Sequence, residues 1–415
     1  MPHMTRAPSA TSELRQGSPA NVKGASLDAL PAELLLHVIA YCDDKDNRGR
    51  RCQSSKVDLY SLCLTSKTFN RLATPQLYAE YTSDECYFSY VSTIVERPEL
   101  TRALKTLRWR LSHSSTDYAR SNPYFSSKLR EHLHPFIDDP LKVGDAYLVA
   151  ALRAPNLQHL NISGRLVQAT HISSGWLEMF QHHSQHHSQH LFGNLQNLWL
   201  KRILHKLADL EHVLVPSLRS LTVVDLEDDL YGSWTLQPSS LQLQKLAFKN
   251  CKLDARNTTM LIASAQQLKA FEYIGTPDSY CLSTLLRIKP ALDRHASSLQ
   301  IINISWFARD PDMELDAGFD FTSYERLESL RIPSLVPLYA PHVTRNLPPA
   351  LKILRLTFCR PELLWKTLFE QTEKFRNLEK ICIAFSMKRY FRSKEWIPLR
   401  AGFAREGIAM DLEAP

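Results

Sequence analysis

Glycine is scarce in this chain, at 12 of 415 residues, about 3% where a globular protein carries about 7%. No two glycines lie closer than five residues. That spacing excludes the GxGxxG dinucleotide loop and the GxSxG nucleophile elbow. The one GxxxxG pair, Gly402 and Gly407, is followed by Ile408 and Ala409 rather than Lys and Ser/Thr, so no phosphate-cradling P-loop is present. Paired cysteines are missing as well. Cys42, Cys52, Cys63, Cys86, Cys251, Cys281, Cys359 and Cys382 stand at least ten residues apart, which removes CxxC zinc and redox motifs. Cysteines so dispersed are expected to be reduced thiols inside a cell. No stretch approaches 18 apolar residues, and the first residues hold no apolar signal core. A cytoplasmic or nuclear location without a membrane partner is therefore expected. Charge of one sign is not dominant either. Fifty basic and 43 acidic residues leave +7, which suits an acidic partner without demanding nucleic acid. No catalytic, cofactor or metal motif survives these exclusions, so the expected activity is binding, not catalysis.

What is present begins after a tail. Residues 1–26 are rich in Ser, Pro, Ala and Thr and have too few aliphatic residues to offset ordering, so they are expected to be flexible. From Leu30 to Tyr41 the spacing predicts a helix with Pro31 and Glu33 in its first turn. Leu34, Val38 and Tyr41 fall on one face, and Leu35, Ile39 and Cys42 on the next. So wide an apolar surface on a short helix needs company on more than one side. A polar loop from Asp43 to Lys56 follows, then a second helix predicted to start at Asp58 with Leu59, Leu62 and Cys63 on one face. A third short helix carries Phe69, Leu72 and Ala73 inward, with Pro75 expected to end it.

Two half-motifs carry a resemblance. Leu30-Pro31-Ala32-Glu33-Leu34-Leu35 with Ile39, then Asp58-Leu59-Tyr60-Ser61-Leu62-Cys63-Leu64-Thr65-Ser66-Lys67-Thr68-Phe69, resemble the LPxELL and DLxxLxxVSkxF/W halves of an F-box. Ala73-Thr74-Pro75-Gln76-Leu77-Tyr78 resembles the tail of the fungal variety. The likeness covers residues 27–80; Cys42 stands where leucine is common, and the spacer is longer than usual. The resemblance implies docking on a Skp-type adaptor of an SCF-type cullin-RING ubiquitin ligase. It places Leu30, Pro31, Leu34, Leu35, Ile39, Leu59, Leu62 and Phe69 at the motif's apolar, adaptor-binding positions. Which of these face the adaptor and which face the domain's own core stays open.

Beyond residue 100 an LxxLxL pattern recurs. Copies begin at Leu104, Leu157, Leu195, Leu218, Leu243, Leu268, Leu299, Leu327, Leu351 and Leu378. From Leu195 the spacings are 23, 25, 25, 31, 28, 24 and 27 residues, close to the 20–29 of leucine-rich repeats. The fullest copy, Leu243-Leu246-Phe248-Cys251-Leu253, fits LxxLxLxxCxL; Cys251 and Cys359 occupy the ninth position, where a side chain turns inward after the strand. Helical patterns lie between, at Cys281 to His295 and Glu362 to Lys374. The predicted fold is thus α/β. A three-helix F-box-like domain (27–80) is followed by a linker or first turn (81–103). An irregular leucine-rich-repeat solenoid (104–410) then forms a curved parallel sheet with outer helices, and 181–190 is a loop insertion.

Alternation along a strand sends the third, fifth and seventh positions of each LxxLxLx to one face. Those thirty positions hold Arg108, Arg110, Lys201, Lys245, Lys249, Arg331, Arg355 and Lys380, against one acid, Glu272. Whole-chain composition would place about 3.6 bases and about 3.1 acids there. With Trp199 as an exposed aromatic anchor, the expected target-binding set is Trp199, Lys201, Lys245, Lys249, Arg331 and Arg355, facing an acidic or phosphorylated segment of a target protein. The competing expectation is that these bases merely solvate the sheet. His182, His183, His186, His187 and His190 form i,i+4 pairs suited to a metal, but sit in a low-complexity insertion. Arg48-Gly49-Arg50-Arg51 is a short basic patch in a loop read as solvated. Two further readings compete with ligase delivery: an F-box scaffold working without a cullin, and a basic solenoid for nucleic acid, which would need interleaved aromatics where only Trp199 stands.

Overall fold

The computed structural model describes residues 30–44, 51–82, 87–110, 148, 154–164, 192–204, 207–226, 236–275, 281–305, 320–333, 347–357, 376–384, 394 and 396–413. The N-terminal tail, the His-rich insertion, Arg48 to Arg50, Cys359 and the predicted helix at 362–374 lie outside them. The chain divides into two compact units, Met1–Leu77 and Tyr78–Pro415. Among the described residues no helix is long and apolar enough to cross a membrane.

Three helices form the first unit: α1 (Ala32–Tyr41), α2 (Gln53–Thr65) and α3 (Lys67–Leu77). α3 packs against both α1 and α2. Its start is fixed by Ser66, whose Oγ accepts the Phe69 N–H at 3.2 Å, while Asn70 Nδ2 donates to Cys63 O at 3.0 Å and closes the end of α2. Two expected boundaries move. α2 begins five residues before Asp58, because nothing from Gln53 to Val57 breaks a helix and Ser55 Oγ donates to Asp44 O at 3.0 Å at its mouth. α3 runs through Pro75 to Leu77. A proline so near the helix C-terminus leaves only its own missing N–H bond, and the helix ends two residues later. The spacer is not wholly solvated either. Arg51 is buried, pairs with Asp43, and donates from Nη1 to Gln76 O at 2.8 Å, tying the spacer to α3.

The second unit is α/β, built on a twelve-stranded parallel sheet whose strands pair in strict chain order. They are β1 (Glu80–Thr82), β2 (Thr106–Arg110), β3 (His159–Ser163), β4 (Asn197–Lys201), β5 (Ser220–Val224), β6 (Lys245–Cys251), β7 (Ala270–Gly275), β8 (Ile301–Ser305), β9 (Ser329–Pro333), β10 (Ile353–Thr357), β11 (Lys380–Ala384) and β12 (Ala409–Glu413). Each of the ten LxxLxL copies carries one strand, and all ten leading leucines are buried. Parallel neighbours require a crossover, supplied among the described residues by helices α4 (Tyr87–Glu96), α5 (Ala255–Ser264), α6 (Cys281–Asp293) and α7 (Trp396–Arg405). The fourth and sixth pattern positions stack strand after strand into one continuous core, for example Leu198, Leu221, Leu246, Phe271 and Ile302.

β1 and β12 extend the sheet past the expected 104–410 limits: Glu80, read as the end of the helical domain, and residues 81–82, read as linker or first turn, open it, and β12 ends at Glu413. Neither has a leucine at the first pattern position, where Tyr78 and Gly407 stand, so a leucine search passes over both.

The residue before the leading leucine stitches successive repeats together. Asn156, Asn194 and Asn377 each donate Nδ2 to a carbonyl of the preceding repeat, at Arg102, Pro155 and Pro349, over 2.7, 2.9 and 2.7 Å. Ser217 and Ser298 reach back in the same way, to Leu195 O and Leu268 O. Just after β4 and β5 and near the end of β6, the eighth position turns left-handed at Arg202, Asp225 and Asn250, with φ of 56, 58 and 56°. Their side chains form one chain of contacts: Arg202 Nε and Asn250 Nδ2 both donate to the Asp225 carboxylate, at 2.7 and 2.6 Å. Gly164 holds that position after β3, where a Cβ would come within 2.4 Å of Arg202 O. Cys251 turns inward as the ninth position predicts. It is fully buried, its thiol donates to Lys249 O at 3.3 Å, and burial pushes its pKa up to about 12, so it is inert packing.

Candidate functional site

Two surfaces hold residues singled out by the sequence. On the first unit, the structure sorts the eight motif positions. Leu35, Ile39, Leu59 and Phe69 are at most 2% exposed and form the unit's own core with Cys63 and Ala73; Leu62 packs half-buried against it. These four cannot meet a partner while the helices stay folded. Leu30, Pro31 and Leu34 face outward. They are joined by residues that the motif comparison did not single out as contacts: Leu36, Val38 and Tyr41 around α1, and Val57, Tyr60 and Leu64 along α2. Helical spacing places Leu34, Val38 and Tyr41 on one stripe of α1, with Leu30 just before it, and Val57, Tyr60 and Leu64 on one stripe of α2. Tyr41 is 91% exposed and Leu64 68%. Of the eleven large apolar side chains exposed among the described residues, eight belong to these two helices and their approach. Scattered exposed leucines are ordinary; two apolar stripes on a unit this small make a candidate contact surface. The sequence carried the signal in the two apolar faces of α1; for α2, Val57 and Tyr60 flank the inward Leu59 and were hidden by it.

On the second unit, the third, fifth and seventh pattern positions share one face and are mostly half-buried. Trp199 is among them, so it is a partly covered side chain rather than an exposed anchor. The expected surplus of eight bases over one acid also changes. β1 and β12 add Glu80, Asp411 and Glu413 to the same face, giving eight bases and four acids. Several bases are neutralised locally: Arg108 by Glu80 at 3.3 Å, Lys201 by Asp225 at 3.8 Å, Lys249 by Glu272 at 3.0 Å, and Lys380 by Asp411. The hydrogen bond from Lys380 holds the Asp411 carboxyl below its ordinary range and raises the lysine in turn. Lys245 is exposed; Arg331 and Arg355 are half-buried. Among the described residues no group of three or more His, Cys, Asp or Glu side chains is gathered as metal ligands.

Comparison with known proteins adds no relative: no family model matches the chain, and no curated protein matches it.

Proposed function

We propose that this chain is a non-catalytic substrate-recognition subunit. Its first unit acts as an F-box-like domain that docks on a Skp-type adaptor and, through it, on a cullin. Its second unit, an irregular leucine-rich-repeat solenoid, holds a target protein for ubiquitination. The observation that carries the reading is the pair of apolar stripes, Leu34-Val38-Tyr41 on α1 and Val57-Tyr60-Leu64 on α2, beside a core already filled by Leu35, Ile39, Leu59 and Phe69. A helix pair from a partner would remove both stripes from water, at roughly 25 cal/mol per Å² of apolar surface covered. Acceleration then comes from proximity, since holding a target lysine beside the ligase raises its effective concentration. The order of the two half-motifs and the ten leucine-rich copies support the same reading.

The test is co-purification of the tagged full chain with a Skp-type adaptor and a cullin, in the wild type and in a Leu34→Asp/Leu64→Asp variant. Both partners are expected with the wild type and neither with the variant. Adaptor without cullin would instead favour an assembly scaffold, and recovery of neither would end the proposal.

A further inference from the structure

Along the mostly half-buried face of the sheet, the local pairing described above lapses over three adjacent strands. Asn303 on β8, Arg331 on β9 and Arg355 on β10 are register neighbours at the fifth pattern position, about 4.8 Å apart from strand to strand. Asn303 Nδ2 donates to Glu272 Oε1 at 2.9 Å, which fixes the amide and leaves its Oδ1 buried without a donor. The Nε atoms of Arg331 and Arg355 are likewise buried without an acceptor. Among the described residues no carboxylate pairs with Arg331, and Arg355 meets only Glu413, 4.0 Å from its buried Nε and beyond hydrogen-bond distance. Two arginines on neighbouring strands, with no carboxylate nearer than Glu413 among the described residues, repel each other, and unmet N–H groups out of water cost free energy. A single oxyanion beside them would relieve both.

We propose that Asn303, Arg331 and Arg355 form the docking point for one oxyanion side chain on a peptide segment of the target. That side chain is a phosphorylated Ser or Thr, or an Asp or Glu. This rests on the reading that the second unit holds a target, and specifies where and by what chemistry. The planar guanidinium forks make paired, charge-assisted hydrogen bonds to phosphate or carboxylate, and Asn303 Oδ1 accepts a backbone N–H of the same segment. Lys201 and Lys249 are then secondary, because Asp225 and Glu272 already hold them.

The experiment is fluorescence anisotropy of the full chain with labelled Gly/Ala dodecapeptides carrying one central phosphoserine, aspartate or serine. The phosphoserine or the aspartate peptide is expected to bind at least tenfold more tightly than the serine peptide. Arg331→Ala and Arg355→Ala should each lower that affinity at least tenfold, and Lys201→Ala should leave it within twofold. Arg331→Lys, which keeps the charge but loses the fork, should fall between, and it decides the matter if the alanine variants fold poorly by circular dichroism. A phosphoserine preference above tenfold names a phosphorylated target; comparable binding names an acidic one. Equal binding of all three peptides, or affinity untouched by the arginine substitutions, overturns the proposal. Adaptor binding measured on the same samples separates the outcomes: peptide binding without adaptor binding removes the ligase reading alone, and the reverse removes this site alone.

Discussion

In the first unit six buried side chains, Leu35, Ile39, Leu59, Cys63, Phe69 and Ala73, hold three helices together, whereas in the second one continuous cluster runs from Tyr81 on β1 to Met410 on β12. The small core holds four large apolar side chains, Leu35, Ile39, Leu59 and Phe69, while eight stay outside; the large one leaves Leu286, Ile301 and Ile397 exposed among the described residues. Size explains part of the difference, since a unit of fewer than eighty residues buries a smaller fraction of its surface. Arrangement explains the rest. α1 is apolar on two faces, and among the described residues only Leu35 and Ile39 are buried while Leu34, Val38 and Tyr41 stay exposed, whereas the ten leading leucines of the second unit are all buried. The first unit therefore keeps an apolar face open to solvent, and the second seals its apolar face within the array.

The largest effect should come from the sealed array. Phe271→Ala removes a fully buried ring and is expected to cost about 3–5 kcal/mol. Denaturant unfolding should show that loss in the second unit's transition while the first unit's transition stays put; a single shared shift would mean the two units are not independent. Leu59→Ala should cost about 2–5 kcal/mol, enough to melt a six-residue core, and adaptor capture should vanish together with the helical signal of that unit. Leu34→Asp and Leu64→Asp sharpen the contrast. Each should change stability by only about 0.5 kcal/mol while removing adaptor capture, so capture lost with melting unchanged is the signature of a docking face.

A smaller effect is expected from His295, buried just after α6 with Nε2 donating to Ile262 O of α5 at 3.0 Å. Burial lowers its pKa, so the folded state resists protonation more than the unfolded chain does. Its contribution is therefore complete above the ordinary histidine range, near pH 6.5, and is lost as pH falls through that range and then through the folded value. The melting temperature of the second unit should drop on acidification, and His295→Gln, which keeps a donor for Ile262 O, should flatten that drop. The smallest effect belongs to Lys380 and Asp411. Both are well exposed, so Asp411→Asn should leave the melting temperature at neutral pH unchanged, and a clear shift would show that the sheet edge depends on that pair.

Much of the second unit was legible because its signal is periodic. Leu104 through Leu378 gave ten strands with the fourth and sixth positions rightly placed in the core, since a parallel array repeats one environment ten times, but the opposite face, read as exposed, is mostly half-buried. The end strands were not legible: a terminal repeat has a neighbour on one side only, so Tyr78 and Gly407 suffice where leucine is needed elsewhere. Missing them hid Glu80, Asp411 and Glu413 and inflated the apparent basic bias. The Asn-Leu pairs at 156–157, 194–195 and 377–378 were a readable sign of the stitching hydrogen bonds and could have been found from spacing alone. In the first unit, two apolar faces on α1 were visible, but the division between core and surface depended on where α3 lies. Arg51 looked like part of a basic patch because a lone arginine carries no sign that Gln76 O and Asp43 await it.

Hydrogen–deuterium exchange of the full chain with and without a purified Skp-type adaptor tests the docking face most directly. New protection is expected over 32–41 and 53–65, with the sheet strands unchanged. Protection confined to the sheet, or none anywhere at saturating adaptor, would contradict the account.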